Sequence, residues 1–137
     1  MHETGRHLQQ ISVELIQAFN DRDYGNAVLK QYMDPKFKCS SGSQPAARAS
    51  SLRDHIENMR SRAMEEPSHS FEVVSSCVGI DEATLKVAVW LTCRVVGGFS
   101  DGIQRDGVSR LDWRKRNGRW MCVKHVGMMG SAMLSSF

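Results

Sequence analysis

The four cysteines, Cys39, Cys77, Cys93 and Cys122, stand far apart, with no C-x-x-C pair among them. Metal sites legible in a sequence rest on ligands at short spacings; none occur here, so no metal and no cofactor is expected. Three of the four fall in strand-like runs, where a free thiol acts as a small hydrophobe, which suits a reducing, cytoplasmic setting. No run is long and apolar enough to span a bilayer, and Met1-His2-Glu3 opens into a polar helix without the apolar stretch of a secretion signal. No membrane partner is expected. A dominant charge is missing too: eighteen basic residues against fifteen acidic ones give a net +3. The basic residues are spread along the chain, which argues against a nucleic-acid partner. Their one cluster, Arg114-Lys115-Arg116, sits at a hairpin turn and reads as a solvated tip. Internal repeats, low-complexity tracts, His-x-His pairs, Gly-rich phosphate loops and nucleophile elbows are all absent.

What is present is an ordinary globular composition, 41% hydrophobic and 24% charged over 137 residues. That is enough for one domain, 1–137, to bury a core without a metal or disulfide. Leu8, Ile11, Leu15, Ala18 and Phe19 recur at helical spacing and form one stripe. Asn20-Asp21-Arg22-Asp23 breaks that helix, and Asp23 is the expected N-cap of a second one carrying Val28, Leu29, Tyr32 and Met33. Asp34-Pro35 should end it. Phe37 to Ser40 reads as a short strand and residues 41–49 as a loop. Ser51 with Asp54 resembles a capping box for a third helix bearing Leu52, Ile56, Met59 and Ala63, closed by Pro67. Beyond His69 the chain reads as four β-segments, 71–80, 84–99, 104–115 and 119–128, with Asn117-Gly118 as the strongest hairpin signal. Helices first and a meander last make an α+β fold.

The order α-α-β-α-β-β-β-β, together with Ala18-Phe19-Asn20-Asp21-Arg22-Asp23-Tyr24 and the closing hairpin Leu111 to Trp120, resembles the SnoaL-like and scytalone-dehydratase-like branches of the nuclear-transport-factor-like superfamily. The resemblance frames nearly the whole chain and implies a cone-shaped, curved antiparallel sheet with three helices packed on its concave side around an apolar pocket. With Trp120 aligned on the hairpin Trp of scytalone dehydratases, Ser109, Leu111, Trp113, Val123, His125 and Met129 face inward. A looser alignment places His69 and Arg94 where that family keeps two catalytic histidines, with Trp90 and Thr92 sharing the inner face. Phe19, Asn20 and Met59 complete the implied lining. The helix-one Tyr-Asp pair of that family falls on Phe19-Asn20 and its water-holding Tyr near Ser40 or Ser41, so this chain is not a scytalone dehydratase.

His125 is the first candidate for proton transfer, since imidazole titrates near neutral pH. Arg94 interrupts an otherwise nearly uncharged run, Val87 to Val96. Facing inward, it would polarise a substrate oxygen; facing outward, paired with Asp112, it would leave Val87, Val89, Leu91 and Cys93 to the core. His69 is a further candidate, while His2, His7 and His55 sit without evident partners. The expected function is a cofactor-free isomerase, cyclase or dehydratase acting on a largely apolar polyketide- or terpenoid-like substrate of specialised metabolism. Its catalytic set is His125, Arg94 and His69, and its expected assembly a homodimer. The alternative is a non-catalytic ligand-binding or dimerisation module of the same fold; convergence of His125 and Arg94 on one site discriminates the two.

Overall fold

Leu8, Ile11, Leu15, Ala18 and Phe19 are all buried along one side of helix α1 (His2–Asn20), as their spacing requires. The computed structural model describes residues 1–41, 50–68, 70–96 and 105–129. No helix among them is long and apolar enough to cross a membrane. After α1 come α2 (Ala27–Tyr32), β1 (Met33–Ser41), a two-residue strand β2 (Ser50–Ser51) and α3 (Leu52–Glu65). Four long strands follow: β3 (Ser70–Asp81), β4 (Lys86–Val96), β5 (Arg105–Arg116) and β6 (Arg119–Met129). The α+β class and the expected element order hold, with β2 as an addition.

Local chemistry explains most boundaries. The Ser51 hydroxyl accepts the Asp54 N–H at 3.2 Å and caps α3. The cap of α2 is Asn26, not Asp23: its side-chain oxygen accepts the Val28 N–H at 2.9 Å, and its amide donates to Asp23 at 3.0 Å. The helix ends before Asp34-Pro35, which lie inside β1, where the register against β6 shifts between Met33 and Lys38. A proline tolerates that irregular stretch because it has no N–H to contribute to a regular ladder. Asn117 and Gly118, both at positive φ (52° and 79°), form the tight turn between β5 and β6.

The sheet is curved and open, in the order β2-β1-β6-β5-β4-β3. Its pairs are antiparallel except β1 with β6, which run parallel, so the sheet is mixed and the expectation of a wholly antiparallel one is corrected. Hairpin links impose antiparallel neighbours. β1 is entered from α2 and left toward α3, so no hairpin constrains its direction against β6.

Alternation divides the sheet into two faces. Val87, Val89, Leu91 and Cys93 of β4, with Leu111 and Trp113 of β5, are buried on the face that the helices cover. Trp113 donates its Nε1–H to Ser12 at 2.9 Å, and Ser12 donates to the Leu8 carbonyl at 2.7 Å, so α1 is tied to the sheet through a satisfied buried polar pair. At Gly5 a Cβ would stand 2.7 Å from Ile80 Cδ1, and the absence of that atom lets α1 lie close on β3. Two bulges change the phase of the alternation. Val74 is extra in β3, and Val123 is extra in β6, where Trp113 pairs with Cys122 and Asp112 with Lys124.

Candidate functional site

The bulge at Val123 determines where the distal half of β6 points. Trp120 and Cys122 pack with the core, and after the extra residue His125, opposite Leu111, returns to the same covered face. Parallel pairing sets Cys39 of β1 beside His125, with Sγ 3.2 Å from the ring Nδ1. α3 completes the group with His55, whose ring lies 5.9 Å from that of His125 and packs edge-on to Phe19 at 5.0 Å. Phe37 stands 6.4 Å from His55, so the three polar side chains are walled by aromatic and aliphatic ones.

Burial governs the protonation of the cluster. It pulls the His125 pKa down to about 3, with the neighbouring His55 charge adding to the effect. Burial, then the charge of Arg62, brings His55 down to about 4. The Cys39 thiol is pushed up to about 11 by burial. All three groups are therefore neutral near pH 7. A thiolate–imidazolium nucleophile requires the opposite shifts, so the Cys39–His125 contact is not an activated cysteine. His125 Nε2 is shielded from solvent and has no hydrogen-bond partner among the described residues. Whichever tautomer is present, one ring nitrogen is left with an unused proton or an unused lone pair.

The other sequence candidates disperse. Leu111 and Trp113 are buried on the covered face, and Ser109, opposite Leu91 and Gly127, shares it. Phe19 is buried against His55, and Met59 packs half-buried against the core. Asn20 is occupied in structure, its side-chain oxygen accepting the Phe71 N–H at 2.9 Å. His69 lies outside the described residues, as does the side chain of Met129.

Four placements are corrected. Arg94 is exposed on the open face, opposite Glu72 and Asp106, because Val87, Val89, Leu91 and Cys93 take the covered side. It cannot join His125 at one site, and the outward partner considered for it, Asp112, pairs with Arg110 at 3.1 Å instead. Trp90 and Thr92 share the open face with Arg94, and a Cβ on Gly79 would stand 3.0 Å from the Trp90 ring. Val123, displaced by the bulge, lines a groove on the open face.

His55 and Cys39 were missed by sequence reasoning. His55 looked partnerless, yet it faces His125 and Phe19. Short Cys/His spacings are absent from the chain, yet Cys39, His55 and His125 offer ligand atoms all within 4.8 Å of one another. Only knowledge that β1 pairs with β6 would have joined positions 86 residues apart.

Two hollows occur, one on each side of the sheet, and none of the three cluster residues lines either. A small one of about 20 Å³, lined by Phe19, Tyr24, Met59 and Phe71 among others, is roomy enough for about one water. The groove on the open face is far larger, about 860 Å³, and gathers Lys38, Lys86, Arg114, Arg116 and Lys124 against Asp81 and Asp112. Charge that is dispersed along the sequence is thus concentrated by the sheet. Arg116 also pairs with the buried Asp34 at 3.3 Å.

No protein-family profile matches the chain, and no curated protein does. Solved structures do. An NTF2-like protein of unknown function from Pseudomonas putida superposes with a TM-score of 0.71 at 12% identity, over 93% of this chain and 87% of that one. The S. rosetta CaMKII hub gives 0.69 at 16%, covering 92% and 96%. Aln2 from a Streptomyces species gives 0.67 at 11%, covering 98% and 96%. At such identities the likeness is one of fold: the chain has the cone-shaped NTF2-like fold.

Proposed function

We propose that the covered face carries a small-molecule site of the SnoaL-like type, in which His125 transfers a proton during isomerisation, cyclisation or dehydration of a largely apolar polyketide- or terpenoid-like compound in specialised metabolism. The observation that carries this reading is the enclosed Nε2 of His125, without a partner among the described residues, on a face lined mainly by apolar side chains. Leaving a buried polar atom unmatched is costly, and such atoms in native folds invite a functional explanation. His55 replaces Arg94 as the second polar group of the site. The four cysteines, all free, support a reducing cytoplasm as its setting.

The test is capture of small molecules from a metabolite extract, read by native mass spectrometry, followed by turnover of the captured compound. His125→Ala should retain the ligand and lose about 10²–10⁴ in rate, the usual worth of a general acid or base. Turnover near the wild-type rate in that variant removes His125 from the mechanism.

A second reading, favoured by the cationic groove and by the CaMKII hub among the fold neighbours, is association through the open face. The sign of the salt dependence separates its two forms. A homodimer bringing two such grooves together sets cation against cation and tightens as salt rises; an acidic partner is released by salt. Analytical ultracentrifugation over a salt series reads both.

A further inference from the structure

We infer that Cys39, His55 and His125 form a binding site for a borderline-soft divalent ion of the zinc class, with one thiolate and two imidazoles as ligands and the fourth position open. Two observations converge on it. The donor set is of the kind zinc takes, thiolate sulfur with imidazole nitrogen. Its atoms are already gathered, all within 4.8 Å, with Cys39 Sγ and His125 Nδ1 3.2 Å apart. A tetrahedral site with Zn–S of about 2.3 Å and Zn–N of about 2.0–2.1 Å separates its ligand atoms by roughly 3.3–3.6 Å, so shifts of about 1 Å close these three around an ion.

The environment fits. Both histidines are neutral near pH 7, the form that ligates, and the positive ion would compensate a Cys39 thiolate that burial alone disfavours. The ligands come from β1, α3 and β6, so a bound ion would staple α3, which has no fully buried residue, onto the sheet. A three-ligand site with an open position is the catalytic type, in which the ion polarises a substrate oxygen or a bound water. The inference goes beyond the reading above while resting on the same cluster: with an ion bound, His125 is a ligand and the ion, not the free imidazole, acts on a substrate oxygen, and the readout is binding rather than turnover.

The experiment is titration of the full chain, stripped with EDTA, with Co²⁺ and then Zn²⁺. The expected result is a one-to-one cobalt complex with an intense near-ultraviolet thiolate-to-cobalt band, bleached when zinc displaces it, and a higher thermal midpoint with zinc bound. Cys39→Ser should abolish the band. His55→Gln should weaken binding at least about a hundredfold, since even outer-shell partners are worth 10–100-fold. Because α3 buries no residue fully, His55→Gln keeps the test available should a His125 variant fail to fold. Cys77→Ser, at an exposed cysteine, serves as the control and should change nothing. No one-to-one complex at micromolar metal, or a complex indifferent to Cys39→Ser and His55→Gln, overturns the site. A chain that binds cobalt through Cys39 but turns over no captured compound refutes the acid–base reading and leaves the metal site standing.

Discussion

The two faces of one sheet carry opposite lessons about polar residues. On the covered face Val87, Val89, Leu91, Leu111 and Trp113 exclude water, so each polar group there must be matched or put to use. Ser12 and the Trp113 indole match each other; His125 is only half matched, by Cys39. On the open face Arg94, one residue out of phase, is cheap to keep because solvent solvates it. An isolated charge in a strand sequence is therefore informative only once its face is known. An imidazole on the covered side remains informative in any register that keeps it there.

The contrast can be broken most directly at Trp113. Trp113→Ala removes a fully buried side chain and orphans the Ser12 hydroxyl, and should cost about 3–5 kcal/mol in urea denaturation. A cost below about 1 kcal/mol would mean that the helix-covered side is not the core. Acid sharpens the comparison next. In the metal-free protein His55 and His125 stay neutral until about pH 4 and about pH 3, whereas in the unfolded chain they take up protons below an ordinary pKa near 6.5. The stability they contribute is thus complete above about pH 6.5 and is lost as the pH falls through that window, by up to about 1.4 kcal/mol per pH unit for each. Urea midpoints at successive pH values should show this slope, and His55→Gln should flatten it.

Smaller effects follow. Ser51→Ala removes the cap of the helix that carries His55 and should cost about 1 kcal/mol, visible as faster amide exchange along α3. Arg94→Leu should shift stability by no more than about 0.5 kcal/mol and leave binding of any captured compound unchanged. A large loss of ligand affinity in that variant would place the site on the wrong side of the sheet.

Much of the fold was legible because its signals are local. The α1 stripe, the Ser51 cap and the Asn117-Gly118 turn each depend on residues within a few positions of one another. The site was legible only at His125. Its inward direction was implied by aligning Trp120 on the family's hairpin Trp, a register that also put Val123 inside; a bulge delivers His125 to the covered face and sends Val123 to the groove on the other. Bulges leave no dependable mark in a single sequence, and the one at Val74 was equally unforeseen. Cys39 and His55 were invisible for a different reason. Cys39 reaches His125 through strand pairing between distant segments and His55 through the packing of α3, and no spacing rule along the chain encodes either.

That pairing has a consequence in time as well as in space. β5 and β6 can meet through a tight turn, but β1 meets β6 only after a segment of 86 residues has been closed into a loop. Such closures are slow, and their entropy is lost before their contacts form. Docking of β1 on β6 is therefore expected on the late side of the folding barrier, with Cys39 reaching His125 when the chain is nearly native. Substitutions at this cluster should accelerate unfolding while leaving the refolding rate almost untouched. Partly folded forms would have the sheet's hairpins but no site, so occupancy of the cluster by any ligand would report on completion of the fold.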